Sequence, residues 1–157
     1  MSPAFHALLQ EFAQSRGMTA EESTYGLEFE CEGTHVYVIE HPLHEDRLLC
    51  EVQLAAFDDM PPAAVLSTLL QINEAARFEH DWVIVMNGDL EVSLSTSIPI
   101  AGVRVAQVED LLIDGVDRGQ VLKEMLQALL LTAEGAATDG QPVRTEGEMD
   151  PMLMVRG

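Results

Sequence analysis

Basic residues are scarce in this sequence. Eight Lys and Arg stand against 27 Asp and Glu, a formal net charge of −19 over 157 residues. A field of that sign repels the phosphates of nucleic acid and of anionic membrane, and it excludes both as partners held by charge. It favours solubility and basic or polar partners. Cysteine is nearly absent too. Cys31 and Cys50 each lie in a strand-like run and neither belongs to a CxxC pair, so reduced core thiols are expected rather than a disulfide framework. No apolar run approaches membrane-spanning length. The opening MSPAFHALLQEF has no basic n-region, so no secretory signal is expected.

The usual marks of catalysis are missing as well. Ser67, Ser93, Ser95 and Ser97 are not set in a G-x-S-x-G turn, and Gly88, Gly102, Gly115 and Gly119 form neither G-x-G-x-x-G nor a Walker loop. Glu109 and Asp110 are adjacent in a helical pattern and so point to different faces. His41 and His44, with Glu45 and Asp46, lie across a proline turn rather than on one helix face, and no other ligand cluster supports a metal there. No enzyme activity, no catalytic residue, no cofactor and no metal are expected.

What is present is a core. The apolar fraction is 47%, enough for one ordered domain of this length. The central stretch, Pro61 to Ile100, reads as a helix followed by an antiparallel hairpin. Val65, Leu66, Leu69, Leu70, Ile72 and Ala76 recur at helical spacing, behind Pro61 and Pro62 in a first turn. The period then changes: Trp82 to Met86 is a buried-strand run, and Asn87-Gly88-Asp89 is a hairpin signal. On the return strand Leu90, Val92 and Leu94 alternate with Glu91, Ser93 and Ser95.

Ahead of this stretch, residues 4 to 16 form a helix with the stripe Phe5, Leu8, Leu9, Phe12, capped by Ser2-Pro3 and stopped at Gly17. Leu27 to Glu32, His35 to Glu40 and Leu48 to Phe57 read as three strands of a meander, the first two joined through Gly33-Thr34. After it, apolar residues from Val105 to about Thr132 keep helical spacing, with a kink or break expected near Gly115 and Gly119. The order α-β-β-β-α-β-β-α with no βαβ rhythm predicts an α+β fold: a twisted antiparallel five-stranded sheet flanked by helices. The domain is expected over 1–132, with a flexible acidic tail over 133–157. Residues 134–157 hold five acids and two arginines, leaving −16 on the rest. Strand two has apolar side chains on both faces, Val36 and Val38 against Tyr37 and Ile39, more than one side of a sheet needs. Such surplus marks binding surfaces.

Four elements in this order resemble the class I type III secretion chaperones, the Tir-chaperone family. They are the helix FxxLLxEFAxxxGM at Phe5 to Met18, the strand meander, the helix with LL-x-x-LL-x-x-N at Val65 to Ala76, and the hairpin Gly88 to Ile100 leading into the last helix. The resemblance covers residues 4 to 131, and small size and low pI agree with it. It implies a cytoplasmic bacterial homodimer, an ATP-independent chaperone that binds the N-terminal segment of a secreted effector in extended form and keeps it secretion-competent. The secretion ATPase is a further partner of that setting. By family position, Phe5, Leu9, Phe29, Val36, Val38 and Leu48 carry effector binding, and Leu66, Leu70, Asn73, Trp82, Val92 and Leu94 the dimer interface. An extended peptide adds to a sheet edge by main-chain bonds and sets alternate side chains in apolar pockets. The rival readings are a stand-alone adaptor domain of the same fold, not dedicated to secretion, and a small hydrolase or ligand-binding domain.

Overall fold

The computed structural model describes residues 2–16, 26–76 and 81–139. The elements are α1 (Pro3–Ser15), β1 (Gly26–Cys31), β2 (Thr34–Glu40), β3 (Arg47–Ala56), α2 (Ala63–Ala76), β4 (Val83–Met86), β5 (Glu91–Pro99) and α3 (Val105–Asp139). The strands form one five-stranded sheet in the order β1-β2-β3-β5-β4, and every pairing is antiparallel. Fold class and element order are those expected from the sequence.

Local chemistry sets the ends of these elements. The Ser2 side chain accepts from the Phe5 N–H at the start of α1, and Pro3 fills the first turn. The Ser2 N–H in turn donates to the Glu40 carboxylate at 2.8 Å, pinning α1 to the end of β2. The β1–β2 hairpin turns at Glu32-Gly33, one residue earlier than expected. Both have positive φ, 52° and 73°, as a type I′ hairpin requires. In the β4–β5 hairpin the left-handed residue is Leu90, φ 62°, and not Gly88. The hairpin expected at Asn87-Gly88-Asp89 forms, and the Asn87 side chain builds its turn by accepting from the N–H groups of Asp89 and Glu91. Gly17, the expected stop of α1, lies outside the described residues.

Strict alternation gives the sheet two unlike faces. Leu27, Val36, Val38, Leu48, Cys50, Val52, Val92, Leu94 and Ile84 are buried on one face, under α1 and α3. The opposite face carries Glu28, Tyr37, Ile39, Leu49, Glu51, Gln53, Ser93 and Ser97, all exposed or half-buried, with Ser95 alone buried among them. Phe5, Leu8, Leu9 and Phe12 bring α1 into the core; burial of each side chain is worth roughly 2 kcal/mol before entropy.

α3 is a single helix through Gly115 and Gly119, without the expected break. A Cβ at Gly115 would come within 2.6 Å of the Trp82 ring, and one at Gly119 within 2.9 Å of a Val52 methyl. At these glycines α3 lies closer to Trp82 and Val52 than a side chain would allow, and tertiary contact holds the helix across them. α3 also continues to Asp139, past the Thr132 near which its helical spacing was expected to end, while residues 140–157 lie outside the described residues. Cys31 and Cys50 are free thiols. Cys31 pairs with Thr34 and Cys50 with Val38, so they stand four residues apart along β2 on its opposite sides.

Candidate functional site

α1 and α3 do not close over the β1 end of the sheet. Between them and β1 lies an open groove of about 270 Å³. Phe12 of α1, Phe29 and Cys31 of β1, Val36 of β2, and Leu112, Ile113 and Val116 of α3 line it. The rings of Phe12 and Phe29 meet at 5.8 Å, forming one wall. Ile113 is 54% exposed at the rim. Arg16 and Glu30 are the charged rim residues. The Arg16 guanidinium bonds Glu109 at 3.0 Å, and the Ser15 hydroxyl donates to the same carboxylate, so the end of α1 is tied to α3 at the groove's edge. β1 is an edge strand. An extended chain laid along it would find main-chain partners beside an apolar trough.

A second groove, of about 320 Å³, lies at the other end, between α2, β4 and α3. Ile72, Ala76, Trp82, Ile84, Leu94 and Leu122 make it apolar, with Asn73 and Arg118 its polar members. Trp82 is fixed from below: its indole N–H donates to Asp114, which also accepts from Arg118. The Asn73 carboxamide accepts from the Ile84 N–H at 2.6 Å and donates to the Ile84 carbonyl at 2.7 Å. α2 buries only Val65 and Leu69. Leu66 and Ile72 are half-buried, and Leu70 is 68% exposed.

The candidate residues fall as follows. Phe5, Leu9, Val36, Val38 and Leu48 are buried in the protomer core. Of the six expected to meet an effector, Phe29 and Val36 line the first groove, as wall and floor. Of those expected at a dimer contact, Trp82, Val92 and Leu94 are also core. Asn73, Trp82 and Leu94 line the second groove, while Leu66 and Leu70 stand on α2. Alternation identifies which residues share a face; it does not say which face the helices cover. Ile113, Leu112, Arg16 and Cys31 are groove residues that sequence reasoning missed. The apolar period of α3 already contained Leu112, but Arg16 and Glu109 are 93 residues apart and no local signal joins them.

Electrostatics separates the two sheet faces. On the open face burial raises the Glu51 carboxyl above its ordinary range, and the charge of Glu91 adds to it, against a lowering hydrogen bond from Ser95. Burial, then the charge of Glu28, raises Tyr37. On the covered face burial pushes the Cys50 thiol up to about 12, so it is inert at neutral pH. Lys123 is lowered by desolvation where its ammonium donates to the buried Thr34 hydroxyl at 2.8 Å. Among the described residues no three His, Cys, Asp or Glu side chains gather as metal ligands.

The profile of the Tir chaperone protein (CesT) family matches residues 7–134. Among solved structures, a chain of the HopA1–SchA chaperone–effector complex aligns with TM-score 0.62 at 14% identity, over 77% of this chain and 94% of that one. A chain of the ExsC–ExsE complex aligns with TM-score 0.64 at 20% identity, over 80% and 97%. A chain of the heterodimeric ExoU–SpcU complex of the Pseudomonas aeruginosa type III secretion system aligns with TM-score 0.55 at 19% identity, over 78% and 97%. At such identities these likenesses concern the fold. No curated protein matches the sequence significantly.

Proposed function

The chain belongs to the Tir chaperone protein (CesT) family, and from that premise we propose that it is a cytoplasmic chaperone of a bacterial type III secretion system. It binds the N-terminal segment of a secreted effector in extended form and keeps that segment stable and competent for export. The observation that carries this reading is the open apolar groove beside the β1 edge, lined by Phe12, Phe29, Cys31, Ile113 and Val116. It offers pockets for alternate apolar side chains of an extended chain and, at β1, main-chain groups for it to pair with. Phe5, Leu9, Val38 and Leu48 support the groove from inside the core. The domain over residues 1–132 is the binding module, and residues 133–157 are an appended acidic segment.

The working form is a homodimer. α2 has a wider apolar face than the protomer buries, and Leu66 and Leu70, with Val121 of α3, present that surplus to a second copy. Asn73, Trp82, Val92 and Leu94 hold the surface from behind. The effector is the partner, with the secretion ATPase as the acceptor of the loaded complex.

Co-expression with the protein encoded by the neighbouring reading frame tests the reading. The full-length protein and its isolated N-terminal segment are expected to co-purify with this chain; a form lacking that segment is not. Co-purification of the truncated form alone would make this an adaptor for folded proteins. The groove is tested in the same complex. Cys31 should react more slowly with iodoacetamide when the segment is bound. Ile113→Asp should weaken binding by about 1–2 kcal/mol, roughly five- to thirty-fold, without changing thermal stability.

A further inference from the structure

The two edges of the sheet are treated differently. An edge strand displays unpaired N–H and C=O groups that template the addition of another chain. In an antiparallel strand these groups alternate in direction, so a residue directs both of them inward to its neighbour or both outward. β4 is four residues long and has β5 on one side only. Ile84 is an interior residue of β4, opposite Leu94 of β5. Both of its backbone groups are bonded to the Asn73 carboxamide, N–H to Oδ1 at 2.6 Å and C=O to Nδ2 at 2.7 Å. One planar amide thus takes the place that a residue of a sixth strand would occupy. Among the described residues, no side chain bonds to the backbone of Leu27 to Cys31 in β1, the other edge.

We propose that Asn73 is an edge plug: its carboxamide closes β4 to strand addition and leaves β1 as the one edge at which an extended chain can add. The inference goes beyond the reading above, since it concerns the sheet's own edge and holds whatever the partner of β1 proves to be. Chemically the device needs one donor and one acceptor on a short arm held in register. Asn supplies both; Asp lacks the donor when ionised, and Leu lacks both at similar volume. α2 supplies the register, because Leu69, one helical turn before Asn73, is buried against the core. Asn73 is a positioning residue here, acting on where a strand can pair.

The test compares the full chain with Asn73→Leu and Asn73→Asp, by residue-resolved amide exchange and by sedimentation velocity. With Asn73→Leu, protection of the Ile84 amide should fall about tenfold or more while Val52 and Leu94 keep theirs, and the chain should gain species larger than the native assembly as concentration rises. Asn73→Asp has a built-in control. Ionised at pH 8, it repels the Ile84 carbonyl and should behave like Asn73→Leu. Protonated, its O–H can donate to that carbonyl, so lowering the pH to about 3.5, below the ordinary aspartate value of about 3.9, should bring protection and assembly back toward those of the native chain at the same pH. A packing role would produce no such pH dependence. Should the Leu variant fail to fold, the Asp variant decides alone. A folded Asn73→Leu with unchanged Ile84 protection and unchanged assembly overturns the proposal, as does an Asp variant that behaves alike at both pH values.

Discussion

Gly115 sets two properties of one residue against each other. Alanine there would add roughly 1 kcal/mol of helix propensity to α3. The new methyl would meet the Trp82 ring at 2.6 Å, and that ring is 2% exposed and tied to Asp114. Overpacking a site that cannot yield costs about 1–3 kcal/mol. Gly115→Ala should therefore lower the thermal midpoint followed by circular dichroism, and by more than Gly119→Ala, whose one tight contact is a Val52 methyl at 2.9 Å. A raised midpoint would mean that α3 rides further from the sheet. Glu51 offers a second test at this scale. Its carboxyl is raised by burial and then by Glu91. A carboxyl with a raised folded value favours folding fully below its unfolded value, and that contribution is lost as pH climbs through the folded one. At pH 7.5 the ion is held where its protonated form would be preferred. Glu51→Gln should thus melt higher than the native chain at pH 7.5, and the difference should shrink as pH falls toward the ordinary carboxyl value of 4.5. A gap independent of pH would mean that the Ser95 bond and packing govern this site.

Among the elements, α2 is the one whose chemistry exceeds its duties. Its sequence face of six apolar residues is that of a fully packed helix, yet the protomer buries only Val65 and Leu69. Leu70→Asp should leave the fold intact, because the side chain is 68% exposed, and should shift the chain toward monomer in sedimentation equilibrium. Leu94→Asp is the contrast. At 2% exposure beneath the second groove it should unfold the protomer, since an unpaired charge in the core costs several kcal/mol. If Leu70→Asp keeps the native assembly, α2 is not the two-fold contact. α3 teaches the opposite lesson. Its glycines read as weaknesses in one dimension and act as contact points in three.

For the molecule as a whole, charge is the dominant property. Twenty-seven acids face eight basic residues, and the side-chain ion pairs between described Arg and acidic residues are Arg16 with Glu109 and Arg118 with Asp114. Self-repulsion therefore outweighs pairing, and screening should relieve it. The thermal midpoint should rise between about 20 mM and 300 mM sodium chloride, where the Debye length falls from roughly 20 Å to 6 Å. A falling midpoint would show that paired charges, not repulsion, dominate stability.

Much of this protein was determined by short-range chemistry and so was legible in the sequence. Alternation at Leu27 to Cys31 and at Leu48 to Leu54, helical spacing at Phe5 to Phe12, and the turn residues between them dictate the element order and the five-stranded antiparallel sheet. A side chain's period depends only on its own backbone. The covered side of the sheet depends on helices that arrive from far along the chain, and only the tertiary structure decided it. Val38 and Leu48 became core, while Tyr37 and Glu51 stayed half-buried on the open face. The groove beside β1 was decided the same way, because Arg16, Phe29 and Ile113 come from three separate elements and are neighbours only after packing. So was the plug at β4, where eleven residues separate Asn73 from Ile84 and nothing in either residue alone announces the other.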